Sequence, residues 1–139
     1  MTATGPDFQK MFESLPSQYI VVDPSRIVVA VTESFLTATE KVREKVLGQD
    51  ILTVFPDNPE NPEAKGTQIL RQSIERVLGS GKIDILPPVR YDMLQPGGGF
   101  KVKYWQPLNA PVLDDGGEVI YVLHGAEDIT EQMTAADKD

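Results

Sequence analysis

Cysteine is absent from all 139 residues, and histidine and tryptophan occur once each, as His124 and Trp105. Without thiols there are no disulfides, no thiolate nucleophile, no cysteine-ligated zinc or iron–sulfur cluster, and no flavin photochemistry that closes on a cysteinyl adduct. Long apolar runs are missing too. The longest purely aliphatic stretch, Ile27 to Val31, is far shorter than the roughly 20 residues a membrane span needs. Residues Met1 to Asp7 carry neither a basic start nor an apolar core of a leader, so the chain reads as cytoplasmic. Basic residues are also scarce, 13 Lys and Arg against 21 Asp and Glu, for a net charge of −8. Scattered among more numerous acids, they cannot neutralise a run of phosphates, which argues against nucleic acid and against an anionic membrane surface as partners. What remains is an ordinary globular composition, 40% hydrophobic and 24% charged, at a length that supports one core.

Apolar spacing then divides the chain. Phe8, Met11, Phe12 and Leu15 fall at i, i+3, i+4 and i+7, one face of a short amphipathic helix that Pro16 closes. Tyr19 to Val22 and Arg26 to Val31 are β-rich and flank Asp23-Pro24-Ser25, which suits a tight turn, so they read as a hairpin. Thr32 to Val54 mixes polar residues with isolated apolar ones and contains Gly48, which predicts several short helices. Pro56, Pro59 and Pro62 make a rigid loop, with Asn61 placed to cap a helix that starts at Pro62. Leu70, Ile74, Val77 and Leu78 form its apolar stripe until Gly79-Ser80-Gly81 stops it.

The remainder alternates with period two, Phe100 to Trp105 and Val119 to His124 each reading as part of a long strand. Pro96-Gly97-Gly98-Gly99 and Asp114-Asp115-Gly116-Gly117 supply the turns of a three-strand meander that begins near Ile83. Two strands, a helical middle and three antiparallel strands define an α+β fold, with the middle helices covering one face of the sheet and space for a small cavity between them.

This order of elements resembles the PAS sensor domain, and the resemblance runs from Phe8 to Gln132. Leu15-Pro16 before the first strand, Val21-Val22-Asp23 leading into Arg26-Ile27-Val28, and Leu47-Gly48-Gln49-Asp50 are similar to the family's landmarks. So is Glu127-Asp128-Ile129-Thr130, because PAS domains commonly end their last strand in Asp-Ile-Thr or Asp-Val-Thr, where Asp and Thr tether the sheet to an outgoing helix. Phe55-Pro56-Asp57-Asn58-Pro59, Arg90-Tyr91-Asp92, Tyr104-Trp105-Gln106-Pro107 and Asn109-Ala110-Pro111-Val112 are, taken together, similar to N-terminal PAS domains of bacterial sensor histidine kinases. Thr32 stands where many members have Asn, so a capping role there passes to a hydroxyl. The resemblance implies a five-stranded antiparallel sheet in spatial order 2-1-5-4-3 with helices on one face. It divides the chain into an amphipathic helix and lead-in (1–17), a PAS-like domain (18–132), and a tail that starts a truncated output helix (133–139).

Individual residues carry less chemistry than their types suggest. His124 lies on a strand, and the middle helix from Ala64 to Leu78 has no histidine where haem-binding PAS domains usually carry their ligand, so haem is disfavoured. Light-oxygen-voltage domains form their flavin adduct on a cysteine that this chain lacks. Gly79-Ser80-Gly81-Lys82 is no phosphate loop, since Arg76 and Ile83 occupy positions that need Gly and Ser or Thr, and it follows a helix rather than preceding one. Asp57, Asp92, Asp114 and Asp115 are better read as local hydrogen-bonding residues than as a metal or acid–base set.

The resulting expectation is a non-enzymatic sensory module of two-component signal transduction, with cofactor unknown. A small, largely apolar ligand would touch some of Phe35, Phe55, Leu70, Ile74, Tyr104, Tyr121 and His124. The change would leave through Asp128, Thr130 and Glu131, with Asp128 as N-cap and Glu131 reaching back. A histidine kinase domain, in cis or in trans, is the expected effector. Phe8, Met11, Phe12 and Leu15 would cover either the outer face of their own sheet or the same helix of a second subunit, with a homodimer expected. The alternatives are a ligand-free dimerisation scaffold and a small α+β enzyme using His124 with Asp92.

Overall fold

The computed structural model describes residues 5–136, so the extreme ends of the first and last sequence segments, residues 1–4 and 137–139, lie outside the described residues. Helix α1 (Phe8–Glu13) starts where the Asp7 carboxylate accepts from the Lys10 amide. Strands β1 (Tyr19–Val22) and β2 (Val28–Val31) form the expected antiparallel hairpin. Its turn is held by Asp23, whose Oδ1 accepts from the amides of Ser25 and Ile27.

Three short helices follow, α2 (Glu33–Thr39), α3 (Arg43–Val46) and α4 (Ile51–Val54). Thr32 does take the capping role: its hydroxyl oxygen accepts from the Phe35 amide and its proton goes to the Ser17 carbonyl, tying α2 to the segment before β1. Asp50 caps α4 through the Leu52 amide.

Helix α5 (Gly66–Ser80) begins four residues later than the Asn61-Pro62 signal predicts. Asn61 closes only a local turn through the Glu63 amide, whereas the first turn of α5 is fastened by Asp57, which accepts from the Thr67 amide at 3.1 Å and hydroxyl at 2.6 Å. Gly66 is required there for space, because a Cβ would lie 2.5 Å from the Tyr91 ring. Gly81, at φ +66°, ends the helix as expected.

The meander is more broken than its alternation suggests. Its first strand comes in two pieces, β3 (Asp84–Ile85) and β4 (Val89–Arg90), both paired with β7 (Tyr104–Leu113). Phe100 and Lys101 are not continuous with β7 but form β6 (Phe100–Lys101), which pairs with β5 (Met93–Leu94) in a separate two-stranded hairpin. The chain leaves strand geometry at Val102 and Lys103, where the Lys103 carbonyl accepts from the Tyr91 amide and its ammonium turns to Asp128. Strand β8 (Val119–Asp128) closes the sheet, and α6 (Thr130–Ala136) leaves it.

The main sheet runs β2-β1-β8-β7-β3, antiparallel throughout, with β4 also on β7. Taking β3 and β4 as one interrupted third strand gives the 2-1-5-4-3 order. The core lies between the inner face of this sheet and α2, α4 and α5, built around Ile20, Val22, Val31, Phe35, Ile51, Ile74, Val77 and Val122.

Candidate functional site: an apolar cavity and a C-terminal tether

Phe35 and Thr39 from α2, Phe55 after α4, Gly66, Ile69 and Leu70 from α5, and Trp105, Pro107, His124 and Ala126 from the sheet line a partly open cavity between helices and sheet. About 40 Å³ of it is open to water-sized molecules, room for a small group and little else. Phe35 sits edge-on to both Phe55 and His124, at centroid separations of 5.7 Å and 6.3 Å. Four of the seven residues expected at a pocket, Phe35, Phe55, Leu70 and His124, line this cavity. The other three do not. Ile74 is fully buried one turn further along α5, packed in the core. Tyr104 and Tyr121 belong to the opposite face: inward positions on β7 and β8 are Trp105, Pro107, Asn109, Val122, His124 and Ala126, so strand parity turns both tyrosines outward. Sequence reasoning missed Tyr91 and Met93, which lie outside the main-sheet alternation, and Trp105, whose facing depends on where β7 begins.

The side-chain donors of the wall are already engaged. Thr39 donates to the Phe35 carbonyl at 2.8 Å, Trp105 Nε1 donates to the Tyr91 carbonyl at 3.0 Å, and the Tyr91 hydroxyl donates to the Phe55 carbonyl. Burial pushes the Tyr91 hydroxyl well above its ordinary pKa, with the Asp57 charge adding to the shift, so it stays protonated. His124 is 7% exposed and its Nδ1 lies 2.9 Å from Asn109 Oδ1. Burial alone lowers its pKa from 6.5 to about 4, which keeps the ring neutral at physiological pH.

His124 and Asp92 do not form the dyad of the enzyme alternative. Asp92 is bound by Arg90 Nε at 2.9 Å and by Asn58 Nδ2 at 3.0 Å, and neither of its oxygens bonds His124. Burial raises the Asp92 pKa, but the hydrogen bonds from Arg90 and Asn58 outweigh it and hold the carboxyl below its usual range. Asp57 fastens α5, and Asp114 accepts from the Gly116 and Glu118 amides in the β7–β8 turn. Among the described residues no group of acidic or histidine side chains is placed to hold a metal ion. Nor do the residues fit a haem or a flavin. The open space is far smaller than either ring system, and the wall offers no free donor for the carbonyl edge of a flavin.

The second locus is the junction of β8 and α6. Asp128 Oδ1 accepts from the Thr130 amide at 3.0 Å and its hydroxyl at 2.6 Å, while Oδ2 meets Lys103 Nζ at 2.6 Å. The Thr130 hydroxyl oxygen in turn accepts from the Tyr104 amide at 2.9 Å, and the Asp128 amide donates to Gln18 Oε1 at 3.0 Å. Burial raises the Asp128 pKa, but the bonds from Lys103 and Thr130 outweigh it and the net shift is downward. The expected capping box is not formed. Asp128 binds Thr130 and Lys103, and Glu131 is exposed with no side-chain hydrogen bond among those of the described residues. The tether thus joins the start of β7, the end of β8, the lead-in before β1 and the first turn of α6.

The stripe of α1 is largely uncovered: Phe8 is 71% and Met11 55% exposed, Leu15 is exposed, and Phe12 is half-buried. Glu13 at the helix end pairs with Arg43 at 3.6 Å.

Comparison with known proteins agrees with this geometry. The PAS fold family matches residues 7–129, and the chain belongs to that family. A comparison with curated protein sequences returns no match. Among solved structures, the PAS domain of a protein from Colwellia psychrerythraea superposes with a TM-score of 0.68 at 16% identity, covering 88% of this chain and 93% of that one. A sensory box sensor histidine kinase from Vibrio cholerae gives 0.59 at 18% identity, covering 88% and 89%. The LOV protein of Rhodobacter sphaeroides gives 0.64 at 17% identity, covering 93% and 72%. At these identities the likeness is one of fold. Among the described residues no helix is long and apolar enough to cross a membrane.

Proposed function

We propose that this PAS domain is a cytoplasmic sensory module of bacterial signal transduction that binds a small apolar ligand in the α5–sheet cavity and relays occupancy through Asp128, Ile129 and Thr130 to an effector such as a histidine kinase. It performs no catalysis in this reading, and the working unit spans residues 18–132, with 1–17 as lead-in and 133–139 as the start of an output helix. The observation that carries the proposal is continuity between cavity and tether. Trp105 lines the cavity and is paired with Asp128 in the β7–β8 register, while the amide of the preceding residue, Tyr104, is held by Thr130. A shift of the Trp105 wall therefore moves both ends of the tether. To switch the output fully, from 1:99 to 99:1, a ligand must prefer one state by about 5.5 kcal/mol.

Native mass spectrometry of the freshly purified chain tests this reading. A small-molecule mass above the apo value, lost from a Leu70→Trp variant that fills the cavity, is the expected result. The exposed Phe8 and Met11 support a second reading, a ligand-free scaffold that dimerises through α1. A clean apo dimer that falls to monomer on Phe8→Ser and Met11→Ser substitution would favour it.

A further inference from the structure

We infer that the cavity selects its occupant by a single hydrogen-bond donor: His124 presents a bare Nε2 acceptor to a small, neutral, otherwise apolar molecule carrying one hydroxyl or N–H. The inference rests on the reading of the cavity as a ligand site. It follows from a chain of hydrogen bonds whose direction is set at the protein surface.

Arg76 on α5 donates from Nε and Nη2 to Asp84 Oδ2, at 3.2 Å and 2.8 Å, and the same oxygen lies 2.6 Å from Ser73 Oγ. The hydrogen bonds from Ser73 and Arg76 hold the Asp84 carboxyl below its ordinary range, so it is ionised and can only accept. The one proton of Ser73 is therefore spent on Asp84. Ser73 Oγ can then only accept from Asn109, 2.8 Å away, which fixes the Asn109 amide with Nδ2 toward Ser73 and Oδ1 toward His124. The flipped amide would set two oxygens against each other with no proton between them. Asn109 Oδ1 accepts, so the proton of the neutral imidazole sits on Nδ1. Ser73 and Asn109 are fully buried, so no solvent enters to reverse the order.

A neutral imidazole carries one N–H, and with Nδ1 protonated the other nitrogen is an acceptor. His124 is part of the cavity wall with Nδ1 turned away to Asn109, so the far edge of the ring, with Nε2, is left for an occupant. The other polar side chains of the wall, Thr39, Tyr91 and Trp105, have each committed their hydrogen to a backbone carbonyl. An occupant that only accepts, such as an ether or a ketone, finds no donor there. One that donates finds His124.

Pyrrole and furan provide the test, because the two five-membered rings have nearly the same size and differ in N–H against ring oxygen. With the full chain labelled with ¹⁵N at its only histidine, the free protein should show the proton on Nδ1, and pyrrole should move the Nε2 resonance. Pyrrole should bind about fivefold more tightly than furan, the worth of one ordinary net hydrogen bond of about 1 kcal/mol. That preference should vanish in His124→Leu. Equal binding of both rings, or a proton on Nε2 in the unsubstituted protein, overturns the donor rule while leaving the cavity as a ligand site. Failure of both rings to bind removes the ligand site and the donor rule together.

Discussion

The buried histidine should make stability depend on pH in a range where carboxylates are silent. In the folded chain the pKa of His124 is lowered from 6.5 to about 4 by burial, while the unfolded chain keeps the ordinary value. As pH falls below 6.5 the unfolded state therefore takes up the proton first. The stability due to the neutral ring is complete above about pH 7 and is lost progressively as pH falls toward 4. At 1.36 kcal/mol per pH unit the full difference is about 3 kcal/mol, of which about 2 kcal/mol is lost by pH 5. Asp84, Asp92 and Asp128 are all held below their usual range and remain ionised at pH 5, so their losses begin lower. Urea denaturation at pH 7.5 and pH 5.0 should show the wild type losing about 2 kcal/mol more than His124→Asn, a variant that keeps a donor toward Asn109 but cannot titrate. With a urea slope of about 1–3 kcal/mol per molar, that is a midpoint change on the order of 1 M. Parallel losses in the two proteins would mean that His124 is protonated in the fold or open to water, and would refute the buried chain.

Other substitutions probe the tether and the packing beneath it. Asp128→Asn removes the charge that holds Lys103 and weakens acceptance from Thr130, so the amides of Ile129 and Met133 should exchange with solvent about 30-fold faster, as about 2 kcal/mol of charge-assisted bonding would give. Global unfolding should shift less than this local opening, which hydrogen-exchange mass spectrometry can separate from it. Gly66→Ala places a methyl 2.5 Å from the Tyr91 ring, and the overpacking should exceed the small helix-propensity gain by about 1 kcal/mol, seen as a fall of roughly 4 °C in Tm.

Much of the framework was readable from local pattern, because its causes are local. The β1–β2 hairpin is set by Asp23-Pro24-Ser25 and the stop of α5 by Gly81, each within a few residues of the element it controls, whereas the cap of α2 by Thr32 was indicated by the family resemblance. The parts that escaped depend on distant partners. Asp57 fastens α5 from ten residues upstream, so the nearer Asn61-Pro62 signal placed the helix start too early. Alternation from Phe100 to Trp105 is the same whether the residues continue one strand or break into two, and only the pull of Asp128 on Lys103 and of Thr130 on Tyr104 reveals the break. That break also hid which parity of β7 faces inward, and with it the outward placement of Tyr104. The chain from His124 through Asn109 and Ser73 to Asp84 joins three strands of the sheet, β8, β7 and β3, by way of α5, at sequence separations of 15, 36 and 11 residues, so no spacing rule could have shown it.

The most direct test of coupling between cavity and exit helix uses no ligand. Ala126 lines the cavity, lies opposite Pro107 in the sheet and precedes Asp128 by two residues, so Ala126→Val fills space in the wall while keeping the Asp128, Thr130 and Lys103 side chains of the tether. Hydrogen exchange should change about tenfold at Ile129, whose amide bonds the Tyr104 carbonyl, and at Met133, whose amide bonds the Ile129 carbonyl, while the β1–β2 hairpin is unaffected. A response confined to amides around Trp105 and Leu70, with Ile129 and Met133 unchanged, would contradict the coupling.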